Sequence, residues 1–125
     1  MTYLFDSDVI ISHLHNKFDL TVIPSTTPAI SVITYAELLY GVQKINNPTK
    51  QEKLDGLLRD LHIEILPVTP AIVKRFTTIK LQTEGKGEKL ADFDLLIAAT
   101  ALEHNLTLIT NNKKHFQRIK GLNLA

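Results

Sequence analysis

The stretch DFDLLIAATALEHNLTLITNN (residues 92–112) decides the fold. Within it, LLIAATALEH (95–104) is apolar nearly all round, which predicts a helix buried on every side. LTLIT (106–110) follows at once as a short apolar run and ends on the polar residues Thr110, Asn111 and Asn112. That is the pattern of a buried strand whose carboxyl end reaches a polar edge. A buried helix feeding a buried strand implies a sheet covered by helices.

The same alternation extends outward in both directions. TYLFD (2–6) reads as a strand, followed by a helix over about 8–16 with Val9, Ile10, Ile11 and Leu14 on its apolar face. Pro24, Ser25, Thr26, Thr27 and Pro28 are loop chemistry, and AISVI (29–33) is a second strand. TYAELLYGVQKI starts a helix at about Thr34, and Asn46-Asn47-Pro48 closes it. The following TKQEKLDGLLRDLH is helical, with Leu54, Leu57, Leu58 and Leu61 at helical spacing. IEILPVT (63–69) reads as a third strand, residues 70–83 as a helix running to a Gly85-Lys86-Gly87 break, KKHFQRI as a last helix and LNL as a fifth, edge strand. The fold class is therefore α/β, a single domain over 1–125 with a central, mostly parallel sheet of four to five strands.

Composition narrows the function. A hydrophobic share of 44% and a charged share of 22% are ordinary for a globular chain. No apolar run approaches the ~18 residues that span a bilayer, and the N-terminus lacks the basic and apolar regions of a secretory signal. The chain has no cysteine, hence no disulfide framework and no thiolate metal site. The expectation is a cytoplasmic protein with no membrane partner. A net charge of +1 does not announce a nucleic-acid binder. After Glu103, however, there is no acid, while Lys113, Lys114, Arg118 and Lys120 are basic, so a local face suits either solvent or phosphate.

In open parallel sheets ligands bind beyond the carboxyl ends of the strands. The polar residues expected there are Asp6, Ser7 and Asp8 after strand one, and Ser31, Thr34 and Glu37 after strand two. Asp92 and Asp94 open the buried helix, and Thr110, Asn111 and Asn112 follow strand four. Each has a local reading as a helix cap. Asp8 suits the first turn of helix one, Thr34-x-x-Glu37 matches a capping box, one of Asp92 and Asp94 suits the start of the buried helix, and Asn112 suits the last helix. Asp6 fits this reading least, because it belongs to the strand end. Four separate elements nevertheless deliver an acid or amide to one sheet edge. Carboxylates ~4 Å apart repel by roughly 4 kcal/mol per pair at an effective dielectric of 20, so they stay ionised together only around a shared cation, or one takes up a proton. An all-oxygen pocket suits Mg²⁺ or Mn²⁺. The histidines do not compete: His13 and His15 point different ways on a helix, and His62, His104 and His115 are isolated. No Gly-rich phosphate loop or Ser/His/Asp order is present.

Four segments, in order, resemble a PIN domain: D-S-D-V-I-I, S-V-I-T-Y-A-E-L-L-Y-G, D-F-D-L-L-I-A-A-T-A and L-T-L-I-T-N-N-K-K-H-F-Q-R-I-K-G-L. More narrowly, the chain is similar to the VapC-type toxins of bacterial and archaeal toxin–antitoxin pairs, over residues 3 to about 124. The resemblance implies a three-layer α/β/α domain and a Mg²⁺- or Mn²⁺-dependent endoribonuclease leaving a 5′-phosphate and a 3′-hydroxyl. Its catalytic acids fall on Asp6, Glu37 and Asp94, with Asn112 at the fourth position and Thr110 at the strand end. Asp6 and Asp94 are the implied metal ligands, helped by Glu37, and Glu37 alternatively orients the attacking water. Asp8 stands where the family more often has Asn; it is a cap, a neighbouring charge or a metal contact. Asp92 has no counterpart among the core acids and is assigned to capping or to support of the ligands. Lys113, Lys114 and Arg118 are the implied RNA backbone contacts. The implied partners are a VapB-like antitoxin and an RNA of the tRNA or rRNA class, in a homodimer within a larger toxin–antitoxin assembly.

Two other readings of the fold remain: an RNA-processing nuclease without an antitoxin, and a catalytically weak module that binds RNA or a partner, since Asn112 removes one formal charge. A strand ending in D-x-D also opens haloacid-dehalogenase phosphatases. There, Ile10 stands where Thr or Val is preferred, and no later lysine motif matches.

Overall fold

The hydrophobic runs form a parallel sheet because each is bounded by helices long enough to make the crossover. The computed structural model describes residues 2–23 and 27–125, so Pro24, Ser25 and Thr26 of the expected loop lie outside the described residues. The strands are β1 (Tyr3–Phe5), β2 (Ala29–Ser31), β3 (Glu64–Leu66) and β4 (Thr107–Ile109). The helices are α1 (Ser7–Leu14), α2 (Val32–Ile45), α3 (Pro48–Asp60), α4 (Pro70–Gly85), α5 (Asp92–Glu103) and α6 (Lys113–Phe116), with a 3₁₀ turn at Leu20–Val22. The sheet order is β3-β2-β1-β4, with every pairing parallel. The connections move one way from β1 to β3, and the chain then returns past β1 to add β4. The topological switch therefore falls between the carboxyl ends of β1 and β4, where a ligand crevice opens in such sheets.

Period-2 alternation sorts the core into two layers. Leu4, Ala29 and Leu108 pack with Ile72, Ile79, Leu95 and Phe116, so α4 and α5 cover one face. Their neighbours Phe5, Ile30 and Ile109 pack with Val9, Ile10, Leu38, Leu54 and Leu57, so α1, α2 and α3 cover the other. This is the three-layer α/β/α arrangement expected from the sequence. The all-round apolar helix α5 is buried as predicted, with Ile97, Ala98, Ala99 and Ala101 fully inaccessible.

Helix ends follow local chemistry. Asn16, Asn46, His62 and Asn105 have φ between 52° and 58°, and Gly87 has φ 72°. One of these left-handed residues stands at or just past the end of each of the first five helices, the usual way of closing the last turn. Asn47 caps α3 through its side chain ahead of Pro48, as Asn46-Asn47-Pro48 implies.

Several boundaries differ from expectation. Helix α2 begins at Val32 rather than Thr34, because the Ser31 hydroxyl accepts a hydrogen bond from the Ile33 amide (3.0 Å) and turns the chain out of the sheet. The β-branched run S-V-I-T favours a strand locally, and this capping bond overrides it. Gly85 is the last residue of α4, so the break begins at Lys86-Gly87. The last helix is a single turn. The expected fifth strand is only an isolated bridge between Leu108 and Leu124, so the described sheet has four strands. No described helix is long and apolar enough to cross a membrane.

Candidate active site

Strand β1 ends by presenting Asp6 at the switch point, 6% exposed. Its backbone amide donates to the Ile109 carbonyl (2.9 Å), which fixes the β1–β4 edge. One carboxylate oxygen accepts from the Ser7 amide and the other from the Thr110 hydroxyl, each at 2.8 Å. The side chain at the strand end is therefore also the N-cap of α1, which removes the capping reading of Asp8 and leaves it as a charge in the first turn. Extended φ and ψ at Asp6 allow this, since a cap residue precedes the first helical turn. Asp8 lies in that first turn and accepts instead from the Asn111 amide across the crevice (3.3 Å), with the Thr110 hydroxyl at 3.4 Å.

Glu37 and Asp94 reach the same place from two other helices. Ser31 caps α2, so Thr34-x-x-Glu37 does not form a capping box. Thr34 and Glu37 instead lie one turn apart on α2, and Thr34 Oγ1 and Glu37 Oε1 are buried with no hydrogen-bond partner among the described residues. The N-cap of α5 is Ala91, without a side-chain bond, so neither Asp92 nor Asp94 caps that helix. Both occupy its first turn, where the helix dipole favours an anion, but they diverge. Asp92 pairs with Lys80 (2.9 Å) at the surface. Asp94 turns to the crevice, where its Oδ2 lies 3.0 Å from Nε2 of His115.

The electrostatics show the acids acting as one group. The pKa of Asp6 is pushed up to about 6, chiefly by burial; the Thr110 hydroxyl opposes this, while the charges of Asp8 and Asp94 add to it. The pKa of Glu37 is also raised, by burial first and then by the charges of Asp6 and Asp94, with partial relief from the Ser7 hydroxyl. Mutual repulsion of this kind marks functional carboxylates more often than structural ones.

Asn112 stands at the N-cap position of α6 without a side-chain capping bond. Its backbone amide donates to the Thr110 hydroxyl (3.0 Å), the group that holds Asp6. The expected RNA contacts do not share one cleft. Arg118 lines a cleft with Lys86 and Lys120 at the end of α4. Lys113 lines another with Phe18 and Val22, beside β4. His115 was missed: it is isolated in the sequence, and only the packing of α6 against α5 brings it to Asp94. Its place in the N-N-K-K-H-F run just past the strand end was the one available signal.

The donor set fits a hard divalent cation. It is all carboxylate oxygen, it carries a buried Glu37 oxygen in need of a partner, and the charges of its members raise the pKa of Asp6 and Glu37. Among the described residues no three His, Asp or Glu side chains converge tightly enough to cage an ion unaided.

A family model for the PIN domain matches residues 3–122. The chain is 35% identical to ribonuclease VapC2 of Rickettsia felis, over 98% of this chain and 95% of that one. It is 26% identical to the tRNA(fMet)-specific endonuclease VapC of Shigella flexneri, over the same shares of 98% and 95%. Among solved structures it superposes on VapBC2 of Rickettsia felis, crystallised with a promoter DNA fragment. The TM-score is 0.91 and the identity 33%, covering 100% of this chain and 98% of that one. The three-layer sheet, the acids at its switch point and these similarities agree: the chain belongs to the PIN-domain family.

Proposed function

We propose that this chain is a divalent-metal-dependent endoribonuclease serving as the toxin of a toxin–antitoxin pair. The observation that carries the reading is that Asp6, Glu37 and Asp94, from three elements, lie near enough at the switch-point crevice for their charges to raise the pKa of Asp6 and Glu37, with Glu37 Oε1 buried and without a partner among the described residues. Asp6 and Asp94, helped by Glu37, would hold Mg²⁺ or Mn²⁺, which supplies Lewis acidity at the scissile phosphate and lowers the pKa of bound water. Glu37 is suited to orient the attacking water and accept its proton, because burial and neighbouring charge raise its basicity. Asp8 adds a fourth carboxylate, which offsets the charge that neutral Asn112 does not supply. Thr110 holds Asp6 in place. Asn112 would tether a metal-bound water or the phosphate, and Lys113, Lys114 and Arg118 would bind RNA backbone, Lys113 and Arg118 from two separate clefts.

The test is incubation of the purified protein with RNA. Cleavage to 5′-phosphate ends is expected with Mg²⁺ or Mn²⁺ and none with a chelator; intact RNA under all conditions would favour the non-catalytic binding reading. The substrate we propose is an RNA of the tRNA or rRNA class, met in the cytoplasm by a homodimer. The Shigella flexneri relative carries a tRNA-specific name.

A VapB-like antitoxin is the proposed partner. Ile11, Leu14, Gly41, Val42, Ile45 and Leu54 line an apolar groove between α1, α2 and α3, with Lys50 and Lys53 also along it and Glu37 within it. Such a groove suits an amphipathic segment whose apolar face packs into it and whose acidic side chains meet Lys50 and Lys53. A Cβ built on Gly41 meets nothing within 4 Å, so a side chain there has room to leave α2 toward the groove, and Gly41→Leu narrows it. This substitution should weaken co-purification with the antitoxin by 10-fold or more, roughly the effect of losing an apolar anchor, and leave RNA cleavage by the free toxin unchanged.

A further inference from the structure

The segment after β4 touches three acids from one side. Thr110 donates to Asp6 (2.8 Å), the Asn111 amide donates to Asp8 (3.3 Å), and His115 meets Asp94 (3.0 Å). The first two contacts tie the segment to the β1 side of the crevice, and the third crosses to α5. We propose that His115 is a positioning residue for Asp94: it fixes one carboxylate oxygen and so sets the direction in which the other faces Asp6 and Glu37.

The contact has the features of a fixed bond rather than a loose surface pair. A carboxylate only accepts, so Nε2 of His115 carries the hydrogen and donates to Asp94 Oδ2. Both side chains are largely covered, at 25% and 27% exposure. By contrast, Asp92 in the same helical turn is 58% exposed on Lys80. The turn that carries His115 is anchored on both sides. Phe116 next to it is 1% exposed in the core under α5, and the His115 amide donates to the Asn112 carbonyl (3.2 Å). The imidazole also meets the Phe116 ring edge-on, with centroids 5.7 Å apart, which limits its rotation. Asp94 has no capping bond of its own to orient it. A ligating carboxylate without such a partner would sample several rotamers, and ordering it would cost part of the cation's binding free energy.

The inference rests on the reading of Asp94 as a ligand to a divalent cation, and the experiment separates the two. Mn²⁺ binding to the purified protein is measured by titration calorimetry for wild type, His115→Ala, His115→Gln and Asp94→Asn, alongside kcat and KM for RNA. His115→Ala should lower Mn²⁺ affinity by roughly 10- to 100-fold, the usual effect of losing a bond that orients a ligand. It should lower kcat at fixed Mn²⁺ and leave the KM for RNA unchanged. His115→Gln places an amide donor near the position of Nε2 and should recover most of the loss, an outcome that a merely structural role would not produce. If Asp94→Asn abolishes Mn²⁺ binding while His115→Ala binds like wild type, or His115→Gln binds as weakly as His115→Ala, the positioning role is overturned. If Asp94→Asn itself binds Mn²⁺ normally, the reading of the metal site fails, and the inference with it. Should His115→Ala not fold, the Gln variant decides: wild-type-like Mn²⁺ affinity supports the role and a 10-fold or greater loss overturns it.

Discussion

Replacing Asp94 with asparagine should lower RNA cleavage by on the order of 10³-fold or more, the scale on which preorganised charge at a reacting centre acts, while the protein remains folded. The substitution is nearly isosteric, and Asp94 does not cap α5, whose N-cap Ala91 makes no side-chain bond. Loss of favourable charge in the first helical turn costs at most about 1 kcal/mol. The change removes one anionic oxygen from the crevice and breaks the pattern in which Asp94 raises the pKa of both Asp6 and Glu37. Asp92→Asn is the matching control. It occupies the same helical turn but pairs with Lys80 at the surface, where solvent screens the bridge and it contributes little. Cleavage by Asp92→Asn should stay within about twofold of wild type. Steady-state cleavage of the two variants, with circular dichroism to confirm folding, checks the pair. An active Asp94→Asn would remove this residue from the site.

Asp6→Asn should make the metal-free protein more stable at neutral pH while abolishing cleavage. In the folded state the Asp6 pKa is about 6, against 3.8 for the free side chain, so the folded protein holds this proton more tightly. The stability this provides is fully present below pH ~4 and is lost as pH rises through about 6. Complete loss corresponds to about 3 kcal/mol as an upper limit, and coupling to Asp8 and Asp94 makes about 1–3 kcal/mol the reasonable range. Asparagine caps a helix as well as aspartate does: its oxygen still accepts from the Ser7 amide, while its amide nitrogen takes the place of the other oxygen and donates to the Thr110 hydroxyl. Denaturant unfolding across pH should therefore show Asp6→Asn gaining on wild type from pH 4 to 7, with little difference at pH 4. Mn²⁺ should stabilise wild type far more than the variant. If Asp6→Asn is less stable than wild type at pH 7.5 without metal, Asp6 is a structural cap and its burial carries no strain.

These two residues also show why part of the site was legible in the sequence. Asp6 and Asp94 follow or open apolar elements whose period and length identify them, and a parallel sheet collects strand ends at one edge. The rest depended on competition between local choices. Asp8 and Asp6 both have the chemistry to cap α1, and the choice fell on Asp6 because the strand delivers it already extended. The capping-box reading of Thr34 and Glu37 failed because Ser31 turned the chain three residues sooner, which freed Glu37 to enter the crevice. Lys113 and Arg118 lie close together in the sequence, but the single turn of α6 sends them to different clefts.

By itself, the sequence determined the alternation of strands and helices, the burial of α5, and which acids had the means to meet beyond the sheet. Those properties follow from hydrophobic period and chain length, which act locally. Tertiary structure alone decided that β4 returns to the far side of β1, that Thr110 and His115 thereby reach Asp6 and Asp94, and that Glu37 keeps a buried oxygen with no partner among the described residues. Contacts such as Thr110–Asp6, 104 residues apart along the chain, depend on strand order, which no local pattern encodes.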